Sequence, residues 1–133
     1  MSSSEHEARA LSGLLCRPWV GVAMYAALIF AISSIPAESM PDGRFWDFDK
    51  LIHAAEFGVL SVLVWRALPR VGRFRPLWAA ALSSMYGVCD EVHQALVPGR
   101  DASGYDMLAD SIGSVVAMVV LWLVVTRRDR TLG

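Results

Sequence analysis

Two stretches of this chain, Pro18 to Ile35 and Ser111 to Thr126, contain no charged residue. At about 1.5 Å per residue the first reaches roughly 27 Å as a helix, most of the thickness of a hydrocarbon core. A helix on the surface of a soluble bundle needs a charged face recurring with a period near 3.6, and neither stretch has one. Two further runs, Leu51 to Leu68 and Leu77 to Val97, are apolar over most of their length. The first of them carries His53, Glu56 and Arg66, and the second turns polar at Asp90, Glu91, His93 and Gln94. Pro18 and Pro76 suit first helical turns, while Pro36, Pro69 and Pro98 stop segments. With 133 residues there is material for one core. The pattern predicts an all-α fold, a single domain over residues 1–133 with membrane spans at about 18–35, 51–68, 77–97 and 106–126. A soluble four-helix bundle is the competing reading, weakened by the uncharged first and fourth segments.

Composition agrees with a bilayer environment, since 55% of residues are hydrophobic and 19% charged, below the roughly 25% charged of soluble domains. The net charge of −1 offers no basic field for nucleic acid, so no nucleic-acid partner is expected. Eleven of the twelve cations are arginine, and their placement sets orientation. Arg70, Arg73 and Arg75 share one short connection without an acid, and Arg127, Arg128 and Arg130 share the C-terminal tail. Short loops rich in arginine stay in the cytoplasm. The loop from Pro36 to Asp49 holds Glu38, Asp42, Asp47 and Asp49 against Arg44, and belongs outside. A four-transmembrane-helix bundle with both termini cytoplasmic satisfies these counts. No A-x-A-like site follows the first apolar run, so the first helix is expected to remain as an anchor. Cys16 and Cys89 form no disulfide or zinc-binding pattern.

Ionisable groups inside a span cost about 2.5 to 3.5 kcal/mol each on insertion scales, so they tend to face the bundle interior and to serve a purpose. Here they fall at one depth, the outer half. Asp49, His53 and Glu56 stand at i, i+4 and i+7, along one stripe with Lys50 about 100° away. Asp90 and Gln94 are i, i+4 partners on the third helix. Asp106, Asp110 and Gly113 repeat the spacing on the fourth, where Gly113 would let another helix approach closely. His93 and Glu91 fall off the Asp90 stripe, and for Glu91 a solvent or headgroup contact competes with a role in the site. Asp49 and Asp106 also suit helix N-termini, where carboxylates favour the positive end of the dipole.

His53, Glu56, Asp90, His93 and Asp110 are all competent metal ligands. Their spacing is not diagnostic: di-metal carboxylate bundles use Glu-x-x-His on two helices, whereas this chain has one His-x-x-Glu. No metal or cofactor is assigned on this basis. No nucleophile elbow, Walker loop or dinucleotide fingerprint is present in the sequence.

The run D-K-L-I-H-A-A-E-F from Asp49, D-E-V-H-Q from Asp90, P-G-R at Pro98 to Arg100 and D-x-x-x-D-x-x-G from Asp106 together resemble the VanZ-like family of small bacterial membrane proteins. The resemblance covers about 80 residues and carries over Asp49, Lys50, His53, Asp90, Glu91, Gln94, Arg100 and Asp106 as motif positions. Where Asp110 stands, the family pattern commonly has asparagine. The resemblance implies a place in the bacterial cytoplasmic membrane and, through the founding member, an association with teicoplanin resistance.

The functional expectation is an outward-facing polar site that binds or acts on an anionic headgroup, such as part of an envelope lipid or cell-wall precursor. His53, poised by Glu56, carries the proton, and Asp90 orients the bound group. Lys50 and Arg100 meet the anion, with Asp49, Glu91, Gln94, Asp106 and Asp110 completing the binding surface. The alternatives are a non-enzymatic protein locked by salt bridges between helices, and a small transporter.

Overall fold

The computed structural model describes residues 18–39, 48–69 and 72–132. Four α-helices are present among the described residues, and no strand: α1 (Pro18–Ser33), α2 (Asp49–Ala67), α3 (Arg75–Gln94) and α4 (Gly104–Leu132). A short 3-10 turn, Ala37–Ser39, follows α1. The all-helical expectation therefore holds. Cys16, Asp42, Arg44, Asp47 and Arg70, which bear on the expected orientation and cysteine use, lie outside the described residues.

The helices end where backbone chemistry requires it rather than where the apolar runs end. α1 stops two residues before Ile35, because Pro36 lacks an N–H and disfavours helical backbone in the residue before it. α3 closes after Gln94 with tighter turns, Leu96 N–H donating to His93 O at 2.9 Å and Val97 N–H to Gln94 O at 2.9 Å. Pro98 and Gly99 then reverse the chain, with Gly99 at φ 75°, a conformation that favours glycine. α4 runs past Thr126 to Leu132, since nothing in that stretch breaks a helix and leaving an apolar environment does not end one.

Successive helices alternate in direction, which collects the C-terminal ends of α1 and α3 with the N-terminal ends of α2 and α4. α4 packs against α2 and α3, and α1 packs against the same two helices, while α1 and α4 do not meet. α2 and α3 are thus the middle of the bundle. Gly113 makes the tightest contact: a Cβ there would lie 1.9 Å from the backbone oxygen of Ala54, so α2 and α4 touch backbone to backbone. Phe57, Leu60, Val64, Ala79, Ala80, Ile29 and Met118 form the apolar core below the polar end. Tyr86 Oη donates to Ala26 O at 2.7 Å and ties α3 to α1.

The distribution of polarity is inverted relative to a soluble bundle. Among the described residues Ser33, His53, Ser61, Ser83, Asp90, Glu91, Gln94, Asp106, Asp110 and Ser114 are buried. Trp19, Met24, Leu28, Trp78, Met85, Val119, Val120 and Trp122 are exposed. By length and composition one helix clears the demands of a crossing, Gly104–Arg128 of α4, and α1 is apolar but shorter. The sequence-based expectation of four such segments is therefore met in full by one. α2 and α3 fall short because they carry the site's own charges, Asp49, Lys50 and Glu56 on one and Asp90 and Glu91 on the other.

Candidate functional site

Two polar networks occupy the end of the bundle where α1 and α3 finish and α2 and α4 begin. The first lies between α2 and α4. His53 Nδ1 is 3.0 Å from Asp110 Oδ1, and because an ionised carboxylate only accepts, the ring donates from Nδ1. His53 Nε2 faces Asp49 Oδ1 at 3.8 Å, toward the bundle mouth. Above this pair Lys50 Nζ donates to Asp106 Oδ1 at 2.9 Å. That hydrogen bond raises the Lys50 pKa above its ordinary value, so the ammonium stays charged. The Lys50 side chain is 58% exposed, which leaves its other hydrogens facing outward.

Gly87 on α3 makes room for this arrangement. A Cβ at that position would come within 2.8 Å of Asp110 Oδ2 and 3.0 Å of Asp110 Cβ. Only a residue without a side chain lets Asp110 sit against α3 while its other oxygen holds His53.

The second network joins α1 and α3. Asp90 Oδ2 accepts from Ser33 Oγ at 2.7 Å and from Gln94 Nε2 at 2.9 Å, the latter the i, i+4 pair anticipated from spacing. Ser34 donates its single hydroxyl proton to Phe30 O at 2.6 Å, so its 2.9 Å contact with His93 Nε2 is one in which the histidine donates. His93 also stacks on Phe30, centroid to centroid 4.2 Å. His93 therefore fastens the end of α1.

Glu91 differs from what helical periodicity implied. It is 1% exposed, turned toward α2 and α4, and its Oε2 accepts the backbone N–H of Ser103 at 2.8 Å. Ser103 in turn caps α4, its Oγ accepting from Asp106 N at 3.3 Å. The pair works as a capping box in which the acid comes from another helix. Glu91 is buried although it lies off the Asp90 stripe because α3 is central, with α1 on one side and α2 and α4 on the other.

Arg100 also sits elsewhere than an open anion site would place it. Its Nη1 donates to Ile32 O at 3.4 Å, which also accepts from Ile35 N, and to Ile35 O at 3.5 Å, just past the end of α1. Glu56, half-buried on α2, makes no hydrogen bond among the described residues, and the carboxylate that holds His53 is Asp110. The Asp110 assignment was not legible from one helix, since the two residues are 57 positions apart.

Residues 7–125 match the family model described as VanZ/LLP1, which spans all four helices. The chain belongs to the VanZ/LLP1 family. Comparison with curated proteins and with solved structures gave no match. The motif positions of the VanZ-like resemblance gather at one end of this bundle, with Asp49, Lys50 and His53 facing Asp106 and Asp110 across the α2–α4 contact. Gln94 and Asp90 face α1, and Glu91 bridges to the start of α4. In this VanZ/LLP1 chain Asp110 keeps the geometry of a short hydrogen-bonding side chain but adds a buried negative charge, which His53 meets directly.

Proposed function

We propose that this chain is a multi-pass protein of the bacterial cytoplasmic membrane, crossing four times with both termini inside, and that its polar end faces outward to bind or act on an anionic headgroup. Several observations support the membrane placement together. They are the family, the apolar α4, the exposed Trp, Leu, Met and Val side chains, and the interior concentration of polar groups. The ligand reading favours a cell-envelope lipid or lipid-linked cell-wall precursor. An apolar groove of about 730 Å³ runs between α2 and α4 from Leu51 to Val124, suited to an acyl chain whose headgroup reaches Lys50.

The observation that carries this reading is the buried His53–Asp110 pair beneath an exposed Lys50. A carboxylate bonded to one imidazole nitrogen fixes the tautomer and leaves the other nitrogen as a proton acceptor, the arrangement general-base chemistry needs. Lys50 meets the anion as a point charge. Arg100 positions the end of α1, and Asp90 with Gln94 holds the facing wall. Asp49, Glu56, Glu91 and Asp106 complete the cavity. Mass spectrometry of envelope lipids and peptidoglycan, with and without the protein, tests the reading. A specific change in a headgroup-bearing species, absent with Lys50→Gln, is the expected result; identical profiles remove the enzymatic form. Any link to glycopeptide susceptibility is tested in the same strains by comparing their teicoplanin inhibition.

A second reading rests on a different feature of the same contacts: the close ion pairs Lys50–Asp106 and His53–Asp110 join α2 to α4, and the Asp90 network joins α3 to α1. The polar end is then a non-enzymatic lock between helices. Under this reading Lys50→Gln lowers the yield of folded protein, whereas a binding role leaves yield unchanged and removes the envelope phenotype.

A further inference from the structure

His53, Glu91 and Asp110 come from three helices and are all buried. Each offers one ligand atom, and these atoms lie within 4.8 Å of one another. Ligands held about 2.0–2.2 Å from a shared ion stand roughly 3 to 4.4 Å apart, so side-chain adjustments at these three residues are enough to bring them onto one ion. Two further features mark the position. Glu91 Oε1 and Asp110 Oδ2 have no hydrogen-bond partner, on residues 1% and 0% exposed. A bare carboxylate oxygen inside a protein is costly unless something positive meets it. Glu91 Oε2 accepts from Ser103 N, which fixes that carboxylate, and an ion bound here takes the place of the Nδ1 proton that joins His53 to Asp110 Oδ1. The charge count points the same way. Asp90, Glu91, Asp106 and Asp110 are all buried, Lys50 meets Asp106 from outside, and no lysine or arginine is buried among the described residues.

We propose that His53, Glu91 and Asp110 bind a divalent transition-metal ion at the junction of α2, α3 and α4. One imidazole and two carboxylates suit Zn²⁺ or Mn²⁺ better than Mg²⁺, which keeps its water and prefers oxygen donors. A second trio, Asp49, His53 and Asp106, shares the histidine, but the Lys50 ammonium already occupies Asp106 there. The buried trio is therefore the metal position. Three protein ligands leave coordination sites open to water or to an anionic oxygen. The metal proposal does not depend on the headgroup reading and stands or falls by a binding measurement.

The test uses the full chain purified in detergent, with any affinity tag removed, stripped with chelator and dialysed against Zn²⁺ or Mn²⁺. The expected result is one ion per chain by elemental analysis. Affinity should fall at least about tenfold in Glu91→Gln and in Asp110→Asn, and stay unchanged in Cys89→Ser, whose thiol is exposed. X-ray absorption on the zinc-loaded wild-type protein gives a readout that needs no variant. A first shell of one imidazole nitrogen with oxygens supports the site. Sulfur ligation, two or more imidazoles, no bound ion above background, or folded Glu91→Gln with wild-type affinity overturns it.

Discussion

At the acid-rich end of the bundle His53, Asp90, Glu91 and Asp110 lie inside, each against a neighbouring helix, whereas at the opposite end Arg66, Arg73, Arg127 and Arg128 lie exposed. Arg75 is intermediate, its guanidinium 4.2 Å from the Trp65 ring centre and donating to Trp65 O. Both ends are charged, one mainly by acids with a histidine and a lysine, the other by arginines. They differ in what a charge is asked to do. Exposed arginines near a membrane act through their number and sign, and several positions are interchangeable. Interior carboxylates and imidazoles must be paired atom by atom, so each position is specific.

The sharpest way to break this contrast is to remove one member of the interior pair. His53→Ala leaves Asp110 as an uncompensated charge at 0% exposure and should cost about 3–5 kcal/mol, seen as a large fall in detergent thermal stability. A loss no greater than that of an exposed arginine would erase the distinction. Gly113→Ala comes next, at about 2–3 kcal/mol, because the new methyl meets the Ala54 backbone rather than a side chain that can move aside. Its counterpart toward the arginine end, Gly21→Ala, meets nothing within 4 Å and should be neutral or stabilising by up to about 1 kcal/mol.

Gly87→Ala sharpens the comparison differently. The Cβ meets Asp110 Oδ2 at 2.8 Å, Asp110 Cβ at 3.0 Å and Phe57 Cε1 at 3.2 Å, so the whole Asp110 side chain must shift away from α3. Stability should drop by about 1–2 kcal/mol, and the His53–Asp110 bond should be lost, visible as a shifted imidazole resonance by NMR. The smallest effect belongs to Arg66→Gln, within about 0.5 kcal/mol in the same melt. Its consequence is expected in topology reporters only when combined with loss of the neighbouring arginines.

Helix existence and the shared stripes were readable from spacing alone. Asp90 and Gln94 bond as i, i+4 partners, and Gly113 admits a neighbouring helix, because both follow from the fixed 100° rotation per residue. That rule describes one helix at a time. It contains nothing about how far a neighbour is rotated or which helix lies in the middle. Glu91 was therefore ambiguous, and Glu56 stood as the nearer partner for His53. Arg100 read as an open anion contact because the carbonyls it meets lie at and just past the end of α1, more than sixty residues away.

From the amino-acid order alone came the all-helical architecture, the single polar end and the residue types available there, since these rest on local periodicity and on the placement of charge along the chain. The tertiary structure decided that Asp110 holds His53, that Glu91 is buried and caps α4 through Ser103, and that Gly87 leaves room for the carboxylate. Each of those depends on the distance and rotation between helices, which packing sets and local sequence spacing does not encode.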